Sequence, residues 1–172
     1  MYKRQEEIGD RFQRQQAYVP ELLMAARAMK GSLELLKSHL KGEKTDTIGK
    51  IVIGTVFGDL HDIGKNLVAS MFEGCGFEVV NMGVNISADK FVETVKIEKP
   101  DILCLSALLT TTMSYMKVVM DALEKEGLRD QVKVMVGGAP VNELFANQIG
   151  ADGYSGNANA AVIKAKELLC IA

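Results

Sequence analysis

Apolar residues recur at alternating steps of four and three early in the chain: Leu22, Ala26, Met29, Leu33, Leu36 and Leu40. That spacing places them on one face of a helix. Pro20 suits a helix's first turn. Gly31-Ser32 predicts a division into two helices, the glycine ending one and the serine capping the next. An earlier helix over 2–16 turns Ile8 and Phe12 inward, on a thin apolar face. Helices this short bury little surface alone, so they are expected to pack on something else. The stretch 41–50, KGEKTDTIGK, is polar, carries two glycines and has no apolar period, and it reads as a linker. It separates a helical segment, 1–44, from a second domain, 48–172.

Beyond the linker, strand-like and helix-like rhythms alternate. The β-branched run 51–57 reads as a buried strand, followed by a helix over 62–72. Further strands are predicted over 77–82, 102–106 and 132–136, with a short fifth at Gly153-Tyr154. Helices fall between them, over 88–98, 113–126 and 141–148, and a last helix spans 158–169. Continuous apolar runs mark strands covered on both faces. Regular alternation implies a parallel sheet with right-handed crossovers. The predicted fold is therefore α/β: a five-stranded parallel Rossmann-like (flavodoxin-like) sheet with a small N-terminal helical cap. In such sheets ligands sit beyond the carboxyl ends of the strands, where the strand order switches.

Composition narrows the function classes. Hydrophobic residues make up 48% of 172 residues, enough for a packed core, and the net charge is −2. That balance offers no basic face for nucleic acid or for an anionic membrane. No apolar run approaches the roughly 20 residues that span a bilayer. Residues 1–10 are polar and charged, so no secretory signal is expected and a cytoplasmic location is. Cys75, Cys104 and Cys170 are widely spaced and form no CxxC pair, so they read as buried or half-buried free thiols.

The chemistry gathers at the strand ends. After the first strand comes Gly58-Asp59-Leu60-His61-Asp62-Ile63-Gly64. After the third comes Ser106-Ala107-Leu108, then Thr110-Thr111-Thr112, and after the fourth Gly137-Gly138. A lone histidine is commonly a surface or a satisfied core residue. His61, however, leaves a buried strand at the ligand-binding edge, with Asp59 two residues before it. A carboxylate bonded to one imidazole nitrogen fixes the tautomer and makes the other nitrogen a better metal donor. No neighbouring histidine or cysteine completes a zinc set, so a metal here would arrive already held in a macrocycle. Gly137-Gly138 and Gly64 permit close approach of a ligand to the backbone, or else form simple turns. Ser106 either caps the following helix or bonds to Asp59.

Taken together, Asp59-x-His61-x-x-Gly64, Ser106-x-Leu108 and Gly137-Gly138 resemble the cobalamin-binding signature of corrinoid methyltransferase subunits. The likeness runs from about residue 48 to the end. The preceding YVPELLMAARAMKGSLELL resembles the helical cap of the same proteins. The nearest likeness is to the small corrinoid proteins of methylamine, methanol and methoxy-compound methyltransferase systems, and to the cobalamin module of methionine synthase.

The resemblance implies a cobalamin or related corrinoid, bound with its own base displaced and His61 as the lower axial ligand to cobalt. It makes Asp59 and Ser106 a relay behind that histidine. Gly58, Asp62, Ile63 and Gly64 would border the cofactor beside His61. Leu108 and Thr110 would line the pocket for the nucleotide tail, Gly137 and Gly138 would make room for it, and Tyr154 and Ser155 would close over it. The implied role is a methyl carrier between a substrate-specific methyltransferase and a methyl-acceptor methyltransferase, using coenzyme M or tetrahydrofolate, with a reductive activating protein. The cap helices would cover the upper face, with Met24 and Met29 toward the methyl group or simply in the helix core. The family's cap is a four-helix bundle, whereas two or three helices precede the linker here. The chain is then either shortened or completed by another.

Three other readings compete. The cobalamin-binding subunit of a radical mutase shares D-x-H-x-x-G but lacks such a cap. A corrinoid-sensing regulator would carry a basic helix-turn-helix. A receiver domain would place an acidic residue at the end of the third strand, where Ser106 stands.

Overall fold

The structure is a computed structural model and describes residues 3–39 and 47–171. Two helices come first, α1 (Lys3–Gln13) and α2 (Val19–His39). α2 runs unbroken through Gly31 and Ser32, where the sequence predicts a division. A glycine inside a helix costs about 1 kcal/mol relative to alanine, too little to end it. Ser32 Oγ donates to the Ala28 carbonyl at 2.8 Å, so the hydroxyl is used within the helix and caps nothing. Leu22, Ala26 and Met29 are buried as their spacing predicts. The side chains of Leu33 and Leu36, and the whole of Leu40, lie outside the described residues, as does the linker from Lys41 to Asp46.

The remainder alternates strand and helix. β1 (Lys50–Thr55), α3 (Ile63–Gly74), β2 (Glu78–Asn81), α4 (Ala88–Glu98) and β3 (Ile102–Ser106) are followed by α5 (Thr110–Met113) and α6 (Tyr115–Lys125). β4 (Lys133–Gly137), α7 (Glu143–Ile149), β5 (Gly153–Tyr154) and α8 (Ala158–Leu168) complete the chain. All strand pairs are parallel, in the order β2-β1-β3-β4-β5. The order reverses between β1 and β3, so the crevice between their carboxyl ends is the switch point.

Alternation along each strand builds two cores. Ile51, Ile53, Ile102, Cys104 and Met135 face one side, against Phe72 of α3 and Ala161 and Ala165 of α8. Val52, Leu103, Leu105, Val134 and Val136 face the other, against Phe91 of α4 and Met116 and Met120 of α6. The N-terminal helices form an outer layer on the first side. α2 packs along α3, and α1 packs on α2 and α8. Leu22 belongs to the same buried cluster as Ile51 and Phe72, with Ile8 and Phe12 packed against it. Met24 is exposed and Met29 is buried. Of the three cysteines, Cys75 and Cys104 are buried while Cys170 is exposed, which corrects its reading as a buried or half-buried thiol.

Candidate functional site

The loop after β1 is held from behind at several points. Thr55, buried at the end of β1, donates its Oγ1 to the His61 carbonyl at 3.0 Å. Gly58 adopts φ +82°, and its N–H donates to Asn85 Oδ1 at 2.8 Å. The Asn85 N–H donates to the Asp59 carbonyl at 3.0 Å.

Asp59 is the centre of the arrangement and is fully buried. Its Oδ1 accepts from His61 twice, from the backbone N–H at 3.0 Å and from Nδ1 at 2.7 Å. Its Oδ2 accepts from Thr112 Oγ1 at 2.6 Å and from the backbone N–H groups of Leu108 and Leu109 at 2.8 and 3.3 Å. One carboxylate therefore ties the β1 loop to the β3 loop across the switch point. Burial by itself would raise the carboxyl's pKa. Hydrogen bonds from Thr112, from the Leu108 amide and from His61 outweigh it and hold the group well below the usual carboxylate range. An ionised carboxylate only accepts, so the hydrogen between it and the ring belongs to Nδ1. Nε2 is left as the donor atom, on a side chain that is 51% exposed.

The sign of the pH dependence follows. A carboxyl whose folded pKa is depressed stabilises the fold above its unfolded value, and that stability is lost as pH falls toward the folded one. Acid is therefore expected to weaken the protein below about pH 4. Thr112→Val removes one donor and should shift the onset of acid unfolding to higher pH. Circular dichroism against pH checks this; superimposable curves would discard the role given to the Thr112 hydroxyl.

Beside His61 a cavity of about 640 Å³ runs down from the strand ends, between the sheet and the helices α3 and α8. His61, Asp62, Ile63 and Gly64 line it from the β1 loop, and Ser106 and Leu108 from β3 and its loop. Gly137, Gly138, Tyr154 and Ser155 line it from β4 and β5. Ile53, Cys104 and Met135 form its depth. Burial pushes the Cys104 thiol up to about 12, so it stays a neutral wall group.

Three predicted site residues do not reach the cavity. Gly58 and Asp59 stand behind the His61 loop, and Thr110 is exposed at the start of α5. The Asp59–Ser106 link is also not formed among the described residues. Strand alternation turns Ser106 to the same side as Cys104, toward the cavity, while Thr112 comes back over the turn to Asp59. Neither Met24 nor Met29 lines the cavity.

Several residues of the site carry no distinguishing signal in the sequence. Thr112 is one of three threonines beside Ser106, and nothing local says which of them turns inward. Lys65 falls in the helix predicted over 62–72, with no local sign that it turns inward. It is buried, lines the cavity, and donates to Asn66 and Asn81, each at 2.7 Å. Burial lowers its pKa, opposed by the charge on Asp62. Gly64 would meet no atom within 4 Å if it carried a Cβ, so a ligand can approach it freely. Gly138 has a different reason to be glycine. Its φ is +129°, and a Cβ would lie 1.8 Å from the Ala107 carbonyl oxygen.

Around the imidazole, Leu60, Ile63, Leu108 and Leu109 are exposed, Ile63 at 87%. Exposed apolar groups gathered round one polar donor mark a ligand face. Among the described residues no group of three or more His, Cys, Asp or Glu side chains is placed to hold a metal ion. A metal at His61 must therefore bring most of its ligands with it.

The fold and site define a doubly wound α/β module that offers one fixed imidazole beside a deep, mostly apolar cavity at the switch point. The chain belongs to the B12 binding domain family, whose model matches residues 49–163, and a second B12 binding domain model matches residues 2–37. It is 46% identical over 164 residues to dimethylamine corrinoid protein 3 of Methanosarcina mazei, covering 95% of this chain and 98% of that protein. A cobalamin-binding protein from Desulfitobacterium hafniense DCB-2 superimposes with TM-score 0.82 and 38% identity, over 95% of this chain and 77% of that one. The methanol:cobalamin methyltransferase complex MtaBC from Methanosarcina barkeri superimposes with TM-score 0.84 and 32% identity, over 94% of this chain and 61% of that one.

Proposed function

We propose that this protein carries a methyl group on a corrinoid between two methyltransferases, with His61 Nε2 as the lower ligand to cobalt. The observation that carries the reading is the half-exposed imidazole whose Nδ1 is fixed by buried Asp59 and which shares its cavity with exposed Leu60, Ile63 and Leu108. A corrinoid supplies a cobalt centre able to accept and give up a methyl group. The residues present fit it: one donor nitrogen where a macrocycle leaves one position open, and a cavity of the size and apolar character that takes a nucleotide base.

The chain's own part is orientation and electrostatics. Asp59 keeps the Nδ1 hydrogen in place and raises the donor strength of Nε2. Thr112 and the amides of Leu108 and Leu109 hold Asp59 ionised, so Thr112 fills the place behind Asp59 that the resemblance implies for Ser106. Leu60, Ile63 and Leu108 present apolar surface to the macrocycle, and Gly64 allows it to approach the backbone. Tyr154 and Ser155 border the tail. Residues 1–44 are proposed as a helical unit serving the cofactor domain at 48–172.

The partners proposed are a methylamine-type methyltransferase as donor, a coenzyme M or tetrahydrofolate methyltransferase as acceptor, and a reductive activating protein. The relative and the solved complex named above support partners of the methyltransferase kind. Among the described residues no helix is long and apolar enough to cross a membrane, and a cytoplasmic location is proposed.

The test is spectroscopic. Protein loaded with hydroxocobalamin and reduced to the cob(II) state should show nitrogen splitting in its electron paramagnetic resonance spectrum. The splitting should change when histidine is isotope-labelled and disappear in His61→Ala. Splitting that is indifferent to both would end the proposal.

A further inference from the structure

Among the described residues lining the cavity, Phe12 alone comes from the N-terminal helices. Its position needs a route. The cavity lies between the sheet and the α3/α8 layer, whereas α1 packs outside that layer on α2 and α8. The Phe12 ring can touch the cavity only through the space between α3 and α8. α8 leaves that space open by presenting Ala158 and Ala161 there.

A second contact sets how deep the ring goes. Gly9 lies one turn before Phe12 on the same face of α1. A Cβ on Gly9 would come within 2.0 Å of Asn159 Oδ1, in the first turn of α8. Asn159 is 5% exposed, and its Nδ2 has no hydrogen-bond partner among the described residues. α1 is thus seated at close range on α8 at the expense of an unsatisfied buried amide. Such groups are rare in native structures and mark positions held by surrounding constraints.

We infer that α1 is the outer wall of the cavity for the corrinoid's nucleotide tail, and that Phe12 is a specificity-determining residue that sets which lower base the cavity holds. The inference rests on the corrinoid reading above, but concerns the tail and not the cobalt. A base-sized aromatic group entering between the sheet and α3/α8 meets the Phe12 ring as its far contact. Without the ring the cavity opens to the outer layer and the base loses one aromatic wall.

The test compares two corrinoids by spectrophotometric titration of cofactor-free protein: hydroxocobalamin, and a corrinoid lacking the nucleotide tail. Phe12→Ala is expected to weaken cobalamin binding about ten-fold, the scale of one aromatic contact. It should leave the tail-less corrinoid unchanged. Phe12→Leu should fall between, and it also serves if the alanine variant does not fold. Gly9→Leu, which lifts α1 without touching Phe12, should act in the same direction as Phe12→Ala. Equal losses for both corrinoids, or no loss for either, would overturn the inference. Wild-type protein that binds the two corrinoids equally, with His61 splitting intact, would overturn it while leaving the carrier proposal standing. Wild-type protein that binds neither would remove both.

Discussion

Asp59→Ala is expected to cost about 3 kcal/mol of stability, the scale of breaking a buried hydrogen-bonded charge network. For a chain of this size that lowers the thermal midpoint by roughly 10 °C. The reason is the number of donors left behind. The amides of His61, Leu108 and Leu109, the Thr112 hydroxyl and the His61 ring all point at one carboxylate. Asp59→Asn should be little better, since an amide nitrogen must face donors on at least one side. Both variants should also release His61 from its fixed tautomer and weaken any ligand that depends on Nε2. Differential scanning calorimetry checks the first effect; a midpoint within about 2 °C of wild type would mean the network contributes little.

Gly138→Ala is the other large change, expected to exceed about 4 kcal/mol. An added methyl would overlap the Ala107 carbonyl oxygen at 1.8 Å and its carbon at 2.8 Å, on a backbone with φ +129°. Neither atom is the end of a flexible side chain, so β3 and β4 must separate at the cavity edge. Gly64→Ala supplies the contrast. Nothing lies within 4 Å of that position, and alanine is the better helix former by about 1 kcal/mol. Gly64→Ala should keep or raise the melting temperature while impairing whatever approaches the loop. Expression and thermal scans of the pair separate the two reasons for glycine; equal melting temperatures for Gly64→Ala and Gly138→Ala would contradict both.

What was readable in the sequence follows from the range of the interactions that decide each feature. The buried strands announced themselves because both faces of a parallel sheet are covered, which makes runs such as Ile51 to Ile53 and Ile102 to Leu105 continuously apolar. The strand ends fixed the place of the site, and alternation carried His61, Ser106 and Gly137 to one edge. Gly31-Ser32 misled because local helix-ending signals are weak beside the packing of α2 along α3. Ser106 was a natural partner for Asp59 by position in the motif. Which hydroxyl meets Asp59 depends on how the chain turns between β3 and α6, a matter of 53 residues' separation from Asp59 to Thr112. Lys65 and Phe12 were invisible as cavity residues for the same reason: their surroundings come from Asn81 and from α8, far along the chain.

The sheet's two outer strands are brief: β2 has four residues and β5 has two. A border that short gives an approaching strand too few free amides and carbonyls to template on. Self-association through sheet extension is thereby disfavoured. Any lasting contact between this molecule and another is then left to side chains on its helices and loops.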